Sequence, residues 1–333
     1  MLKKILITGG AGFIGSNFIR YLLRETPHAV RSTGFKVINL DKLTYSGNKD
    51  NLKDIENDPK YTFVKGDICD KRLVWKLARE SDAIINFAAE SHVDRSIKYP
   101  EEFIKTNVLG TQVLLDAAKR SGVKRFIQIS TDEVYGSIRK GTFSETSMLL
   151  PNSPYAASKA AADLLARSYF TTYKLPVIIV RSSNNFGPYQ HPEKIIPLFV
   201  TNILEEKRVP LYADGMNVRE WLYVRDNCSA IYFMLHFGRV GEIYNVGSGD
   251  EMKNIVLTKK ILKLLKKKEE LIKFVKDRPG HDKRYAVNPK KLYKLGWLPR
   301  YEFADALEQT VLWYKENTEW WKRLKAKKEK KFW

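Results

Sequence analysis

Short apolar runs alternate with longer helical segments along the first 187 residues. The apolar runs cover residues 4–8, 36–41, 61–64, 83–87, 126–129 and 177–180. Apolar runs of this length are typical of strands that are buried on both faces of a sheet. Because helical segments lie between them, the pattern predicts an α/β fold, a doubly wound parallel sheet with helices on both sides.

After Gly187 the alternation stops, and prolines at 188, 192, 197 and 210 separate shorter elements. We place the start of a smaller C-terminal α/β domain there. A strand at 242–246 is expected to return to the main sheet. This assigns residues 1–187 with 222–250 to the large domain, and 188–221 with 251–333 to the small one. Two long helices are also expected, at 101–119 and at 257–276, the second with Ile261, Leu264, Leu265 and Ile272 on one side.

The chain is strongly basic, with 58 Lys and Arg against 38 Asp and Glu and a formal net charge of +20. Such an excess suits an anionic partner: a dinucleotide, a nucleotide-sugar diphosphate, nucleic acid or an acidic membrane surface. Many of the lysines fall in the last quarter of the chain, where a solvated surface explains them equally well. A basic nucleic-acid or membrane-binding protein is therefore an alternative, but the chain lacks the aromatic and basic motif of single-strand binders. We expect neither partner.

Cysteine usage and apolar runs indicate the compartment. Cys69 and Cys228 are the only cysteines, far apart in the sequence, so neither a disulfide framework nor a metal site is predicted. No apolar run approaches the roughly 20 residues that a membrane helix needs. We expect a cytoplasmic protein without a metal.

A glycine motif follows the first strand and opens the first helix. It contains Gly9, Gly12 and Gly15 and is the signature of a Rossmann dinucleotide-binding turn, in which the backbone approaches a pyrophosphate at a helix N-terminus. Asp41 ends the second strand, 26 residues after Gly15. A carboxylate there accepts hydrogen bonds from an adenosine ribose and repels a 2′-phosphate, which favours NAD over NADP.

Two further groups of residues indicate catalysis. Thr131, Asp132 and Glu133 follow a buried strand, at the edge where open α/β sheets bind ligands. Tyr155 and Lys159 are four residues apart on one face of a helix. An ammonium beside a phenol lowers the phenol pKa, so Tyr155 is a candidate general base for a sugar or alcohol hydroxyl.

The glycine motif, the strand-end threonine and Tyr-x-x-x-Lys together resemble the extended short-chain dehydrogenase/reductase superfamily. Four stretches, 88–96, 131–136, 184–194 and 277–282, resemble the dTDP-glucose 4,6-dehydratase family within it. The chain departs from that family in a short loop before Tyr155, in Phe186 for a usual Tyr, and in Asn227 for a usual His. None of these departures touches the implied chemistry.

The resemblance implies a redox-neutral hydro-lyase of deoxysugar biosynthesis of the dTDP-rhamnose type. Tyr155, supported by Lys159 and with Thr131 beside it, would take the C4 hydroxyl proton while hydride passes to NAD⁺. Glu133 would remove the C5 proton, and Asp132 would protonate the leaving C6 hydroxyl. The two carboxyl groups must therefore hold opposite protonation states near neutral pH.

The resemblance also implies the binding residues. Besides the glycines and Asp41, the expected NAD contacts are Phe13, Ile14, Lys42, Leu43, Thr44, Asp67, Ile68, Phe87, Ala88, Ala89, Ser91, Thr106, Tyr155, Lys159 and Asn185. The expected nucleotide-sugar contacts are Ser91, Thr131, Asn184, Lys194, Ile195, Pro210, Leu211, Tyr212, Arg219, Asn254, Asp277, Arg278, Pro279, Gly280 and His281. His92 is expected to line the substrate site or to be structural, since nothing in the sequence pairs it with a carboxylate.

Several alternatives stay open at this stage. Spacing does not discriminate thymine from uracil, so a UDP-glucose 4,6-dehydratase is an alternative to an enzyme of dTDP-glucose, as is a 4-epimerase or a UDP-glucuronate decarboxylase. Asp132 argues against the last, because a decarboxylase needs no acid at C6. Members of the family pair through the helices at 101–119 and 155–173, so a homodimer is expected.

Overall fold

The computed structural model describes residues 2–26 and 34–329. Met1, residues 27–33 and residues 330–333 lie outside the described part. The outer limits of the two expected domains, at residues 1 and 333, therefore lie outside it as well.

Seven parallel strands form the main sheet, in the order β10-β6-β5-β4-β1-β2-β3. These strands are β1 Lys4–Thr8, β2 Lys36–Asp41, β3 Tyr61–Lys65, β4 Ala83–Asn86, β5 Arg125–Thr131, β6 Val177–Ser182 and β10 Ile243–Val246. The predicted α/β fold class is confirmed. The strand expected at 242–246 does join this sheet, beside β6.

Helices connect the strands and cover both faces of the sheet. They are Phe13–Arg20, Lys71–Arg79, Val93–Lys98, Pro100–Phe103, Thr111–Ser121, Pro154–Tyr173, Ile195–Leu204, Val224–Phe237, Asn254–Leu264, Lys290–Lys294, Phe303–Glu316 and Thr318–Glu329. Successive strand side chains point to opposite faces. Accordingly Ile5 and Ile7 join one apolar core, whereas Leu6 joins the other.

Two small sheets are built from later parts of the chain. One has the order β11-β9-β7, with β7 Asn184–Phe186, β9 Val218–Tyr223 and β11 Glu251–Lys253. The other pairs β8 Val209–Tyr212 with β12 Ile272–Val275. Both contain segments that the sequence assigned to the smaller domain, and the domain limits themselves stay a prediction.

The helix predicted at 257–276 is wrong in its second half. The observed helix ends at Leu264, because Lys266 adopts a left-handed conformation with φ +53°. The chain then forms β12, which contains Ile272 and pairs in parallel with β8. The helical spacing of apolar residues continues past Leu264, but pairing with a strand 63 residues earlier outweighs it.

The segment predicted as a helix at 101–119 is helical but not uniform. Ile104–Gly110 is π-helical and lies between Pro100–Phe103 and Thr111–Ser121. Asn107 in this stretch is buried, and its Nδ2 donates to Ser158 Oγ at 2.8 Å and to the Glu90 carbonyl at 3.0 Å. Such π-helical turns are frequent at functional sites. This one fixes the helix that carries Tyr155 and Lys159.

Candidate active site

A cavity of about 220 Å³ opens at the carboxyl edge of the main sheet. Its floor is the glycine turn between β1 and the first helix. Gly9 has φ +69°, and a Cβ on it would lie 2.6 Å from Ala88 N; a Cβ on Gly15 would lie 2.4 Å from the Gly9 carbonyl oxygen. Only glycine allows the turn, strand β4 and the helix to approach this closely. The result is a backbone surface on which a pyrophosphate fits.

Asp41 stands at the end of β2 in the wall of this cavity. Its Oδ2 accepts from Ala11 N at 2.9 Å and its Oδ1 from Leu43 N at 2.8 Å. Burial raises the pKa of this carboxyl, while the two amide hydrogen bonds oppose the rise. Each carboxylate oxygen has a second lone pair. The orientation therefore fits a vicinal diol such as the ribose of NAD.

Most of the expected NAD contacts line this cavity. They are Gly9, Gly12, Phe13, Ile14, Gly15, Asp41, Lys42, Thr44, Asp67, Ile68, Phe87, Ala88, Ala89, Ser91, Thr106, Tyr155 and Lys159. Leu43 and Asn185 do not line it. Leu43 contributes its backbone amide to Asp41, and Asn185 Nδ2 donates to the Ser183 carbonyl at 3.0 Å. A cofactor role for these two stays a prediction.

Tyr155 and Lys159 lie in the first turns of the helix Pro154–Tyr173, which begins after Ser153 because the Ser153 hydroxyl accepts from Ala156 N. Both side chains are buried. Burial raises the pKa of Tyr155, and a hydrogen bond with Thr131 opposes that rise. Lys159 Nζ donates to the Ile129 carbonyl at 2.5 Å. Burial lowers the pKa of Lys159 to about 8, against the opposing charge of Asp163.

Asp132 and Glu133 have different surroundings although they are adjacent in sequence. Strand β5 ends at Thr131, whose Oγ1 accepts from Glu133 N at 3.3 Å and so begins the short 3₁₀ helix Asp132–Tyr135. Burial, followed by the negative charges of Glu133 and Glu220, raises the pKa of Asp132 well above its ordinary value. The same hydroxyl, Thr131 Oγ1, donates to Asp132 Oδ1 at 3.1 Å.

Positive charges surround Glu133 instead. Burial raises the pKa of Glu133, but Arg278, Arg219 and Lys194 act against that rise. The pKa of both carboxyl groups is raised, but neighbouring carboxylates add to the rise at Asp132, whereas basic side chains oppose it at Glu133, so Asp132 holds a proton more readily than Glu133. A proton donor and a proton acceptor thus stand side by side at the end of β5.

A second cavity, of about 260 Å³, adjoins Glu133. The expected nucleotide-sugar contacts that line it are Asn184, Lys194, Ile195, Pro210, Leu211, Tyr212, Arg219, Asn254, Arg278 and His281. Ser91 lines the first cavity, and Glu193 and Lys194 line both. Thr131, Asp132, Asp277, Pro279 and Gly280 line neither, so their contacts to a ligand stay predictions.

Two arginines face this second cavity. Arg219 NH2 donates to the Asp282 carbonyl at 2.9 Å, and its guanidinium lies 4.3 Å from the Tyr285 ring centroid. Arg278 NH1 donates to Asp94 Oδ1 at 3.2 Å, while its buried Nε has no partner among the described residues. Planar guanidinium groups suit a diphosphate.

The structure adds residues that the sequence did not indicate. Tyr285 lines the second cavity, and its hydroxyl donates to Asp282 Oδ2 at 2.6 Å and lies 3.4 Å from Glu133 Oε2. Trp221 also lines that cavity. Only the polar stretch 277–285 gave a signal for Tyr285. The apolar residues around Trp221 are typical of a buried strand, so they do not indicate a cavity.

His92 does have a carboxylate beside it, contrary to the expectation. His92 Nε2 lies 3.7 Å from Glu193 Oε2, and His191 Nδ1 lies at the same distance. Tyr45 Oη donates to Glu193 Oε1 at 3.0 Å. Glu193 is 101 positions away in the sequence, which is why the local pattern around His92 could not show it. His92 lines the second cavity, and whether it contacts the substrate or is structural stays a prediction.

The described residues contain no group of three or more His, Cys, Asp or Glu side chains that could hold a metal ion. In the same part of the chain, no helix combines the length and apolar character needed to cross a bilayer.

The glycine turn, Asp41 and the Tyr155–Lys159 pair on a parallel sheet define a dinucleotide-dependent enzyme of the short-chain dehydrogenase/reductase class. A second cavity with arginines and a carboxyl pair places it among those that modify nucleotide sugars. The chain belongs to the family described as GDP-mannose 4,6 dehydratase, whose model matches residues 6–310.

Similar proteins agree with this membership. The dTDP-glucose 4,6-dehydratase of Streptomyces niveus is 51% identical over 98% of this chain and 97% of its own. The low-salt glycan biosynthesis protein Agl12 of Haloferax volcanii is 53% identical over 93% of this chain and 98% of its own. The crystal structure of the dTDP-glucose 4,6-dehydratase DesIV of Streptomyces venezuelae, with NAD and dTDP bound, superposes with a TM-score of 0.92 at 51% identity, covering 96% of this chain and 99% of that one.

Proposed function

We propose that this protein is a dTDP-glucose 4,6-dehydratase that converts dTDP-glucose to dTDP-4-keto-6-deoxyglucose and water, with NAD as a catalytic cofactor. The observation that carries the proposal is the adjacent pair Asp132 and Glu133, in which neighbouring carboxylates add to the rise in the pKa of Asp132 and basic side chains oppose the rise at Glu133. A 4-epimerase needs no such pair. Relatives of that name at about half identity over nearly the whole chain support the same conclusion.

The first step is removal of the proton from the C4 hydroxyl. Tyr155 is the base, and burial and the charge of Glu133 raise its pKa while the hydrogen bond with Thr131 opposes the rise. A charged Lys159 in the same helix adds a nearby positive charge that stabilises the phenolate once it forms. Because both side chains are buried, water does not compete with the sugar hydroxyl for Tyr155.

NAD⁺, when bound, supplies the hydride acceptor and donor that oxidises C4 and later reduces C6. The residues that would hold it are those of the first cavity: the glycine turn for the pyrophosphate and Asp41 for the adenosine ribose. A Cβ at position 9 would lie 2.6 Å from Ala88 N, so a side chain there would push apart two segments that line this cavity.

The elimination of water is the task of the two carboxyl groups. The 4-keto group acidifies the C5 hydrogen, and ionised Glu133 accepts that proton. Protonated Asp132 donates to the C6 hydroxyl as it leaves. The surroundings favour the protonated form more at Asp132 than at Glu133, which matches the roles of proton donor and proton acceptor assigned to them.

Binding of the nucleotide sugar falls to the second cavity. Arg219 and Arg278 are the groups that we assign to the diphosphate, since both are cationic and line this cavity. Lys194, which lines both cavities, and Asn184, which lines the second, are assigned to the hexose. The remaining polar residues of the turn at 277–281 are assigned to the nucleotide.

Conversion of dTDP-glucose deuterated at C4 tests the function. The deuterium should be found at C6 of a 4-keto-6-deoxy product, without net reduction of added NAD. UDP-glucose, assayed beside it, should turn over more slowly. Deuterium in the solvent, deuterium left at C4 of a 6-deoxy product, or inverted C4 as the only change would each contradict the proposal.

We also propose that two copies pair through the helices at 101–119 and 155–173. Large apolar side chains on these helices are solvent-exposed in one chain, among them Ile104, Leu109, Leu164 and Tyr173. Their removal from water is the driving force that a stable dimer needs. Leu164→Lys should shift the sedimentation of the protein to that of a monomer, whereas Leu298→Lys, an equally exposed leucine in a distant loop, should leave it unchanged.

The cytoplasm is the proposed compartment. Cys69 and Cys228 are both free, in keeping with a reducing environment.

A further inference from the structure

Asp163 is a buried carboxyl group that the reaction described above does not use. It lies four residues after Lys159 in the helix Pro154–Tyr173, so the two side chains share one face of that helix. Its exposed fraction is 1%, and that of Lys159 is 5%. Carboxylates are almost never this deeply buried unless a charged group accompanies them.

The carboxylate of Asp163 is held by two neighbouring strands. Its Oδ2 accepts from Ser130 Oγ of β5 at 3.0 Å and from Arg181 Nε of β6 at 2.8 Å. Arg181 NH1 in turn donates to Tyr135 Oη at 3.0 Å, and Tyr135 Oη donates to Asn245 Oδ1 at 2.8 Å. Asp163 Oδ1 has no hydrogen-bond partner in the part of the chain that the structure describes.

A purely structural ion pair does not account for this arrangement. A buried pair such as Asp163 and Arg181 gives little net stability compared with apolar side chains of the same volume. Lys159, one turn earlier, is a buried cation whose hydrogen bond goes to a neutral group, the Ile129 carbonyl. Asp163 is the negative group that acts on it, and the second oxygen of that carboxylate is not engaged elsewhere.

We propose that Asp163 is a positioning residue that keeps Lys159 charged and thereby sustains Tyr155 as the base, with Arg181 and Ser130 fixing its carboxylate. This role rests on the dehydratase reaction proposed above. On its own helix Lys159 has Tyr155 four residues before it and Asp163 four residues after it, and the charge of Asp163 acts on it. Arg181 of β6 is joined to this group through Asp163.

The direction of the effect follows from the charges. Burial lowers the pKa of Lys159 to about 8, even though Asp163 opposes the fall. Burial raises the pKa of Asp163 itself, and Arg181 acts against that rise, so Arg181 helps Asp163 to stay ionised. Without the carboxylate the pKa of Lys159 falls further, and Lys159 becomes neutral at neutral pH. The phenolate of Tyr155 then loses its nearby cation.

The test titrates Lys159 directly, by nuclear magnetic resonance of protein labelled with ¹³C at the lysine ε-carbon and assigned with Lys159→Arg. Three variants are compared with the unmodified protein. Asp163→Asn removes the carboxylate. Asp163→Asn with Arg181→Met removes both charges and leaves no unpaired guanidinium, which protects against failure to fold. Asp116→Asn is the matched control, since Asp116 accepts from Tyr169 Oη of the same helix at 2.7 Å.

We expect the Lys159 midpoint to move down by about one pH unit or more in both Asp163 variants, as for loss of a neighbouring opposite charge. It should not move in the Asp116 control. Turnover of dTDP-glucose at neutral pH should fall about tenfold through kcat rather than KM, with the acidic limb of the profile moved to higher pH.

A structural role for Asp163 predicts a different result. In that case the double variant would have the same Lys159 midpoint and the same turnover as the unmodified protein, because no unpaired Arg181 remains. That result would overturn the proposal. An unchanged Lys159 midpoint in Asp163→Asn would overturn it as well. If the unmodified protein does not convert dTDP-glucose, the proposed function fails, whereas the lysine titration still decides the role of Asp163.

Discussion

Both edges of the seven-stranded sheet carry an aspartate, but its hydrogen bonds are satisfied at one edge and not at the other. At the amino edge, Asp82 precedes β4, and its carboxylate accepts from Lys3 N at 2.8 Å, Lys4 N at 3.0 Å and Lys124 Nζ at 2.6 Å. Both carboxylate oxygens therefore accept hydrogen bonds from residues at the beginning of β1 and just before β5, the two strands that pair with β4. The hydrogen bond from Lys124 is the main reason that the pKa of Asp82 falls to about 2.

At the carboxyl edge, polar atoms are left without partners. Asp132 Oδ2, Asn184 Oδ1 and Asn185 Oδ1 are buried and accept no hydrogen bond from the described residues. Burial raises the pKa of Asp132, whereas hydrogen bonds lower that of Asp82. One edge thus contributes stability, and the other holds groups in unfavourable states that a ligand would relieve. Substitutions at the two edges should accordingly separate activity from stability.

The largest effect is expected for Asp132→Asn at the carboxyl edge. Formation of the 6-deoxy product should fall by about 10² to 10⁴-fold, because the leaving hydroxyl loses its proton donor. The free energy of unfolding should not fall, since the amide replaces a buried carboxyl near Glu133 and Glu220. Product analysis and urea unfolding measure the two quantities.

Glu133→Gln is the comparison for that variant. When the reaction is run in D₂O and stopped, the sugar recovered from Asp132→Asn should carry deuterium at C5, because Glu133 still removes the C5 proton. The sugar recovered from Glu133→Gln should not. Unchanged product formation in Asp132→Asn, or loss of C5 exchange in that variant alone, would reverse the assigned roles.

An intermediate effect is expected when alanine replaces a glycine with positive φ. Gly9 at the carboxyl edge and Gly122, just before β5 at the amino edge, have φ +69° and +62°. Each alanine should lower the free energy of unfolding by about 1–2 kcal/mol through backbone strain. Only Gly9→Ala also places a Cβ 2.6 Å from Ala88 N, while a Cβ at Gly122 meets nothing within 4 Å.

Gly9→Ala should therefore also weaken NAD binding, measured by calorimetry, and Gly122→Ala should not. Equal NAD affinity in the two variants would show that close packing at the glycine turn does not shape the cavity.

The smallest effect is expected for Asp82→Asn. The variant should lose on the order of 1 kcal/mol of unfolding free energy at neutral pH, since three hydrogen bonds weaken at a partly exposed site. Because the folded pKa of about 2 lies below the unfolded value of about 3.9, the contribution is present above pH 4 and disappears as pH falls towards 2.

Chemical unfolding at several pH values checks this, and the difference between variant and unmodified protein should vanish near pH 2. Loss of dehydratase activity in Asp82→Asn would contradict the separation of the two edges.

The sequence predicts those features of the site that are formed by residues close together in the chain. The glycine turn, Asp41 at the end of β2 and the Thr131–Glu133 triplet after β5 each need only one strand and the turn that follows it. Parallel strands then bring these ends together without further information. This is why most of the expected NAD contacts line one cavity.

Contacts between distant segments could not be predicted in this way. The strand at Ile272–Val275 forms because β8 offers it an edge, and His92 meets Glu193 only after the sheet has folded. Similarly, the helix position of Lys159 shows that Tyr155 is near, but its hydrogen bond to Ile129 depends on how the helix packs on β5.

Glu193 and Lys194 separate the two cavities and line both of them. A substitution there that alters the preference for the sugar also alters the affinity for the dinucleotide, so it must be compatible with both ligands. Asn184, which we assign to the hexose, lines only the second cavity. Laboratory evolution towards new hexoses should therefore change Asn184 and leave Glu193 and Lys194 unchanged.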